Sequence, residues 1–337
     1  MRRLLLLPLL LAALVLAACG GDDPATPGAS ATTTGGGDAF PVRITHARGT
    51  TTIPAAPKRV VTVGLRDQDT LLALGVKAVG AMDWFGQGTF AKWPWEDWGG
   101  QKPQVVSTGG FEVNFERVAA QRPDLILAVY QELGAGDYAK LSKLAPTVAH
   151  DPRFKPYTTP WPDETRAIAT SVGRKAEGER LIRGVQERFA AFRRAHPEYA
   201  GKSAVITDGN EGSFYAFSSS DPRGQLLKAL GFAPSKPLDA ATKGEFGLEL
   251  SRERLDLLDV DKLFVLVDRA NRAKVFDDPA FQRLDVVRRG DVVEVPYYDA
   301  PQYGAAMAFS SVHSLPYAID GAERLLAANE QAKAERR

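Results

Sequence analysis

Residues able to carry covalent chemistry are scarce in this chain. No Gly-x-Ser-x-Gly turn presents a nucleophilic serine, and no His-Glu-x-x-His pair sets two imidazoles and a general base on one helix face. Gly201-Lys202-Ser203 matches the end of a phosphate-cradling loop, but His196 stands where that loop needs its first glycine. Gly134-Ala135-Gly136-Asp137-Tyr138-Ala139 fits the dinucleotide pattern Gly-x-Gly-x-x-Ala, yet it follows the fourth expected strand instead of opening the fold. A single cysteine, Cys19, excludes an intrachain disulfide and a cysteine-built metal or iron–sulfur centre. His46, His150, His196 and His313 fall in dissimilar contexts and suggest no metal cage. No enzyme class and no resident cofactor is indicated.

The 337 residues carry 42 Lys+Arg against 41 Asp+Glu, with 44% apolar residues. That length supports about two lobes around packed cores. A balance so near neutrality offers no clustered basic face, so nucleic acid is not an expected partner.

The first residues place the chain. Met1-Arg2-Arg3 is a short basic start, and Leu4 to Ala18 is almost continuously apolar. As a helix these residues would reach about 22 Å, short of a bilayer's hydrocarbon core of roughly 30 Å. The segment therefore reads as an export signal. It ends in Leu16-Ala17-Ala18-Cys19-Gly20, which resembles the lipobox of bacterial lipoproteins and makes Cys19 the expected lipidation site. Residues 20–39 are mostly Gly, Ala, Thr, Pro, Ser and Asp and are expected to form a flexible tether, since they cannot bury enough surface to offset ordering.

From Lys58 onward, short apolar runs alternate with helical periodicity. Strands are expected at Arg59–Val63, Ala78–Met82, Gln104–Val106, Asp124–Val129 and Pro146–Ala149, with a helix over Asp69–Leu74 stopped by Gly75. Strand–helix–strand spacing of this kind implies parallel β-α units. Between Lys175 and Ala195, Leu181, Ile182, Val185, Phe189 and Phe192 form one helical stripe, which His196-Pro197 ends. Strands resume at Ala204–Thr207, Lys262–Val267 and Val292–Val295, with helices over Gln225–Leu230 and from Leu315. The expected fold class is α/β. Two similar lobes, 40–160 and 198–330, are joined by a helical segment at 161–197, with a short tail at 331–337. Each lobe holds one matching pattern: Glu116-Arg117-Val118 before Asp124, and Glu253-Arg254-Leu255 before Asp261, with Asn114 and Ser251 as N-caps.

The ordered set of a lipobox, a tether, Pro57-Lys58-Arg59-Val60-Val61, Leu74-Gly75, Asn114-Phe115-Glu116-Arg117-Val118, Pro123-Asp124-Leu125-Ile126, Phe281-Gln282-Arg283-Leu284 and Arg289-Gly290-Asp291-Val292-Val293 resembles the substrate-binding proteins of ABC importers for ferric siderophores, haem and cobalamin. The resemblance spans about residues 40–330. It implies two mostly parallel α/β lobes joined by one rigid helix, with a ligand cleft between them. It also implies a monomeric, lipid-anchored receptor outside the bacterial membrane that serves a permease dimer with its ATPase subunits. Glu116 and Glu253 fall where the family carries one docking glutamate per lobe for permease arginines.

With such a cleft, the loops at strand ends supply the expected ligand contacts. These are Arg66, Trp84, Phe111 and Tyr130 from the first lobe, and Tyr215, Phe246, Arg269, Tyr297 and Tyr298 from the second, with Phe85 and Phe214 beside them. Rings of this kind cover the organic frame of a ferric siderophore, and guanidinium groups meet its oxygens. Haem, with Met307, His313 or Tyr298 on iron, and cobalamin are the alternatives within the family. An exported hydrolase or reductase on a similar scaffold is the alternative of another class. Lys92 to Trp98, with Trp93, Trp95 and Trp98, reads either as a lid or as an aromatic cluster pinning a loop.

Overall fold

The structure is a computed structural model, and it describes residues 39–83, 90, 92–209 and 213–336. Cys19, the export signal and nearly all of the tether lie outside the described residues, as do Trp84 and Phe85.

The first lobe is built on five parallel strands in the spatial order Gln104–Val105, Gly80–Ala81, Val60–Thr62, Leu125–Ala128 and Thr147–Ala149. The inner strands Val60–Thr62, Leu125–Ala128 and Thr147–Ala149 are fully buried and mostly apolar because both faces of the sheet are covered there. Val60, Leu125, Leu127 and Val148 face one core with Ile168, while Val61, Ile126 and Ala128 face another with Val118 and Leu141. The second lobe centres on parallel strands Ser203–Asp208, Lys262–Leu266 and Val292–Val295. Two antiparallel strands, Phe214–Phe217 and Gly247–Leu250, extend that sheet. Phe214 and Tyr215 therefore lie within a strand, not on a strand-end loop.

The helix read from the apolar stripe runs over Lys175–Ala195. A preceding helix, Trp161–Ser171, lays Ile168 and Ala169 into the first-lobe core. The two helices meet closely at Gly178, where a Cβ would stand 2.6 Å from that of Ala169. Leu181 touches cores of both lobes, and Val185, Phe189 and Phe192 then enter the second. The helix thus begins on one lobe and ends on the other, with each buried side chain of the stripe contributing about 2 kcal/mol.

The last helix, Leu315–Glu335, continues through most of the segment read from sequence as a tail. Its end is held by Lys262, only 1% exposed, whose ammonium donates to Asp291 at 2.8 Å, Asn329 at 2.8 Å and Glu330 at 2.6 Å.

A buried polar lattice joins the lobes. Arg66, fully buried at the start of the helix Asp67–Ala73, donates to Glu164 at 3.0 and 2.6 Å and to the carbonyl of Phe309 in the second lobe. Asp69 accepts from the Ser311 hydroxyl of the second lobe at 2.8 Å and from Trp95 Nε1 at 2.9 Å. Trp93 and Trp95 stack at 5.6 Å, and both meet Phe309 edge-on. The tryptophan-rich segment is a pinning cluster between lobes, which resolves the two readings left open for it.

Candidate ligand-binding cleft

Between the lobes lies a cavity of 290 Å³. Leu65, Phe111, Tyr130 and Tyr157 line it from one side, and Phe217, Asp221, Arg223 and Phe246 from the other. A larger cavity of 430 Å³ lies on the flank of the second lobe, between the edge strand Val292–Val295 and the last helix. Only the first lies where both lobes offer the ends of their sheets.

The rings form a continuous arc. Tyr130 meets Tyr157 edge-on at 5.6 Å, Tyr157 meets Phe246 edge-on at 6.0 Å, and Phe246 stacks on Tyr215 at 5.9 Å. Tyr215 then leans on Phe217 at 5.1 Å. A guanidinium caps each end: Arg66 lies 3.8 Å from the Tyr130 ring centroid, and Arg223 3.8 Å from that of Phe217. Gly247 makes the middle of the arc possible, since a Cβ there would stand 2.6 Å from Tyr215 Cε1. Tyr157 takes a left-handed backbone (φ 64) and donates its hydroxyl to Gln131 at 2.8 Å, which holds the ring across the gap.

Arg223 is the basic group of the cavity wall. It sits in the first turn of the helix Pro222–Leu230, whose N-cap Asp221 accepts from the Arg223 backbone N–H at 2.8 Å. The same carboxylate grips the Arg223 guanidinium at 2.9 and 3.0 Å. Burial alone would lower the guanidinium's proton affinity, but Asp221 more than reverses this and keeps Arg223 charged. Its Nε is buried with no acceptor among the described residues, while the side chain as a whole lines the cavity.

The residues expected from sequence divide clearly. Phe111, Tyr130 and Phe246 line the cavity, and Tyr215 stands behind Phe246. Arg66 does not reach it: the guanidinium is enclosed by Glu164, the Phe309 carbonyl and the Tyr130 ring. That expectation is corrected, because a buried charge satisfied on all sides has nothing to offer a ligand. Tyr297 is buried beneath Tyr298, at 4.8 Å between ring centres, and is not part of the wall. Tyr298 is 44% exposed, and Arg269 is exposed at the start of the helix Arg269–Phe276. Met307 is fully buried in the second-lobe core and is closed to any haem iron. Tyr157, Phe217, Asp221 and Arg223 went unnoticed. Asp221-Pro222 is a helix-start signal that could have placed Arg223 at the cleft.

Beneath the arc, acidic groups crowd Arg66. The Asp67 carboxylate accepts from the backbone N–H groups of Val129 at 2.7 Å and Tyr130 at 3.0 Å. Its approach requires Gly64, where a Cβ would lie 2.1 Å from Asp67 Oδ2. Burial pushes Asp67 up to about 7 and Asp69 up to about 6, and it raises Glu164 as well, against the pull of Arg66.

Glu116 and Glu253 are both exposed and occupy the second position of their helices, Phe115–Ala120 and Arg252–Leu258. Asn114 caps the first through the Arg117 N–H at 2.9 Å, whereas Ser251 makes no side-chain cap. Among the described residues, neither glutamate has an ion-pair partner.

Two α/β lobes, a helix running from one to the other and a ring-lined cleft define a solute-binding protein. Residues 60–298 match the family described as periplasmic binding protein, and the chain belongs to that family. The probable siderophore-binding lipoprotein YfiY of Bacillus subtilis is 30% identical over 68% of this chain and 70% of its own length. A periplasmic solute binding protein from Mycobacterium smegmatis is 32% identical, with a TM-score of 0.73 over 85% of this chain and 98% of the other. PiaA of Streptococcus pneumoniae, solved in complex with ferrichrome, is 26% identical with a TM-score of 0.72, again over 85% and 98% of the two chains. Among the described residues, no helix is long and apolar enough to cross a membrane, and no cluster of His, Cys, Asp and Glu could hold a metal ion.

Proposed function

We propose that this protein captures a ferric siderophore outside the bacterial membrane and delivers it unchanged to an ABC permease dimer and its ATPase subunits for iron uptake. The observation that carries this reading is the aromatic arc from Tyr130 to Phe217, spanning both lobes and ending on Arg223. Rings supply broad dispersion contact to an organic frame, and the guanidinium supplies donors to chelating oxygens. Among the described residues the cavity wall is mainly ring surface with the Asp221–Arg223 pair, a lining suited to holding and releasing a cargo unchanged. Cys19 carries the lipid that keeps the monomer at the membrane, and Glu116 and Glu253 dock it onto permease arginines. Titration of the purified protein with ferric siderophores tests the reading: saturable quenching of tryptophan emission, with the complex recovered intact, is expected. An unchanged spectrum with ferric hydroxamate, ferric catecholate, haem and cobalamin would refute it.

A further inference from the structure

The charge of the cleft narrows the cargo. Asp221 and Arg223 are the charged residues on the cavity wall, and they neutralise one another. Burial pushes the Tyr298 phenol up, and Asp208, Asp268 and, from the first lobe, Asp83 push it further. Three backbone N–H groups, those of Tyr297, Tyr298 and Asp299, fix Asp268 there. Lys92 faces Asp83 and Glu96, and Lys155 is bonded to Glu245 at 2.6 Å. Arg269 is not on the cavity wall: its exposed side chain stands at the start of the helix Arg269–Phe276, and its backbone N–H donates to Asp299 at 2.8 Å.

We infer that this cleft takes a ferric complex of zero or positive net charge, a tris-hydroxamate, in preference to polyanionic tris-catecholate or citrate complexes; the inference rests on the siderophore-binding reading above. Three monoanionic hydroxamates cancel the charge of a ferric ion, and a pendant amine leaves the complex cationic. A tris-catecholate keeps several negative charges, which would enter a low-dielectric cleft whose wall, among the described residues, offers one guanidinium already compensated by Asp221. A nearly neutral guest instead uses what the wall does offer, which is ring surface and one guanidinium already balanced by Asp221.

Calorimetry of the purified protein with ferrichrome, ferrioxamine B, ferric enterobactin and ferric dicitrate tests this, at low and at high salt. The expected result is that the two hydroxamates bind about a hundredfold or more tighter than the two anionic complexes, with little response to salt. Phe111 is 61% exposed on the cavity rim, so Phe111→Lys leaves the core untouched. It should improve ferric enterobactin binding about tenfold relative to ferrichrome. Ferric enterobactin or ferric dicitrate binding as tightly as ferrichrome in the unaltered protein overturns the charge inference and leaves siderophore capture standing. Failure of all four complexes to bind overturns the capture reading, and the inference with it.

Discussion

The Arg66 guanidinium lies 3.8 Å from the centroid of the Tyr130 ring, so that a ring bordering the ligand cavity rests on a charge hidden from it. Glu164 and the Phe309 carbonyl complete the enclosure. Arg66→Met strips the countercharge from Glu164, Asp67 and Asp69 together. A loss of about 3–5 kcal/mol in unfolding free energy is expected, measured by denaturant titration. Adding Glu164→Leu should return a substantial part of it, because the carboxylate left bare is then removed. Equal stability of Arg66→Met and the parent would show that the lattice contributes nothing.

Arg223 should govern affinity with far less effect on folding. In Arg223→Gln, Asp221 keeps its N-cap bond to the backbone at 2.8 Å, while the guanidinium on the cavity wall is lost. Affinity for a ferric siderophore should fall at least tenfold by calorimetry. Arg223→Lys should recover only part, since a lysine cannot reproduce the planar fork over Phe217.

Phe246 sits mid-arc, touching Tyr157 on one side and Tyr215 on the other. Phe246→Ala should weaken binding by about 1–2 kcal/mol, roughly the worth of a well-packed ring contact. Wild-type affinity in this variant would mean the arc is structural and not a contact surface.

The Glu116→Ala/Glu253→Ala double variant should bind cargo normally, because both side chains are exposed and unpaired among the described residues. Siderophore-dependent iron uptake in cells should fall severalfold or more. Uptake at the parental rate would remove both residues from docking.

Asp69 gives stability a defined response to pH. Burial raises its carboxyl from 3.8 to about 6, against the bonds from Ser311 and Trp95 and the neighbouring Glu96. The folded protein then binds the extra proton more tightly than the unfolded chain. Asp69's contribution therefore declines as pH rises from about 4 to about 6 and is flat above. Asp69→Asn removes that slope, so its stability relative to the parent should climb by about 3 kcal/mol across the window. Burial lowers His46, His150 and His313, which acts in the opposite sense below pH 6.5, so comparison with the variant is what isolates Asp69.

What could be read from the sequence followed burial. The helix Lys175–Ala195 was legible because Ile182, Val185, Phe189 and Phe192 repeat with the period of the face they bury. The parallel strands were legible because sheets covered on both sides need unbroken apolar runs. Glu116 and Glu253 stood out because the same Glu-Arg-apolar pattern precedes an Asp-led strand in both lobes, although only Asn114 makes a side-chain cap. Arg66 was misplaced because its direction is set by Glu164 and Phe309, far along the chain, and a strand-end position says nothing of which way a guanidinium turns. Phe214 and Tyr215 were misassigned because antiparallel pairing with Gly247–Leu250 is a non-local matter of register. Arg223 was missed because the helix was started at Gln225, three residues beyond its true beginning at Pro222.

Asp69 ties Trp95 and Ser311 together, and Arg66 reaches Phe309 from the opposite half of the molecule. A body braced in this way has little travel with which to signal that it is full. Loaded and vacant carriers then share nearly the same outline, and the transporter has to sense the passenger itself instead of the posture of its escort.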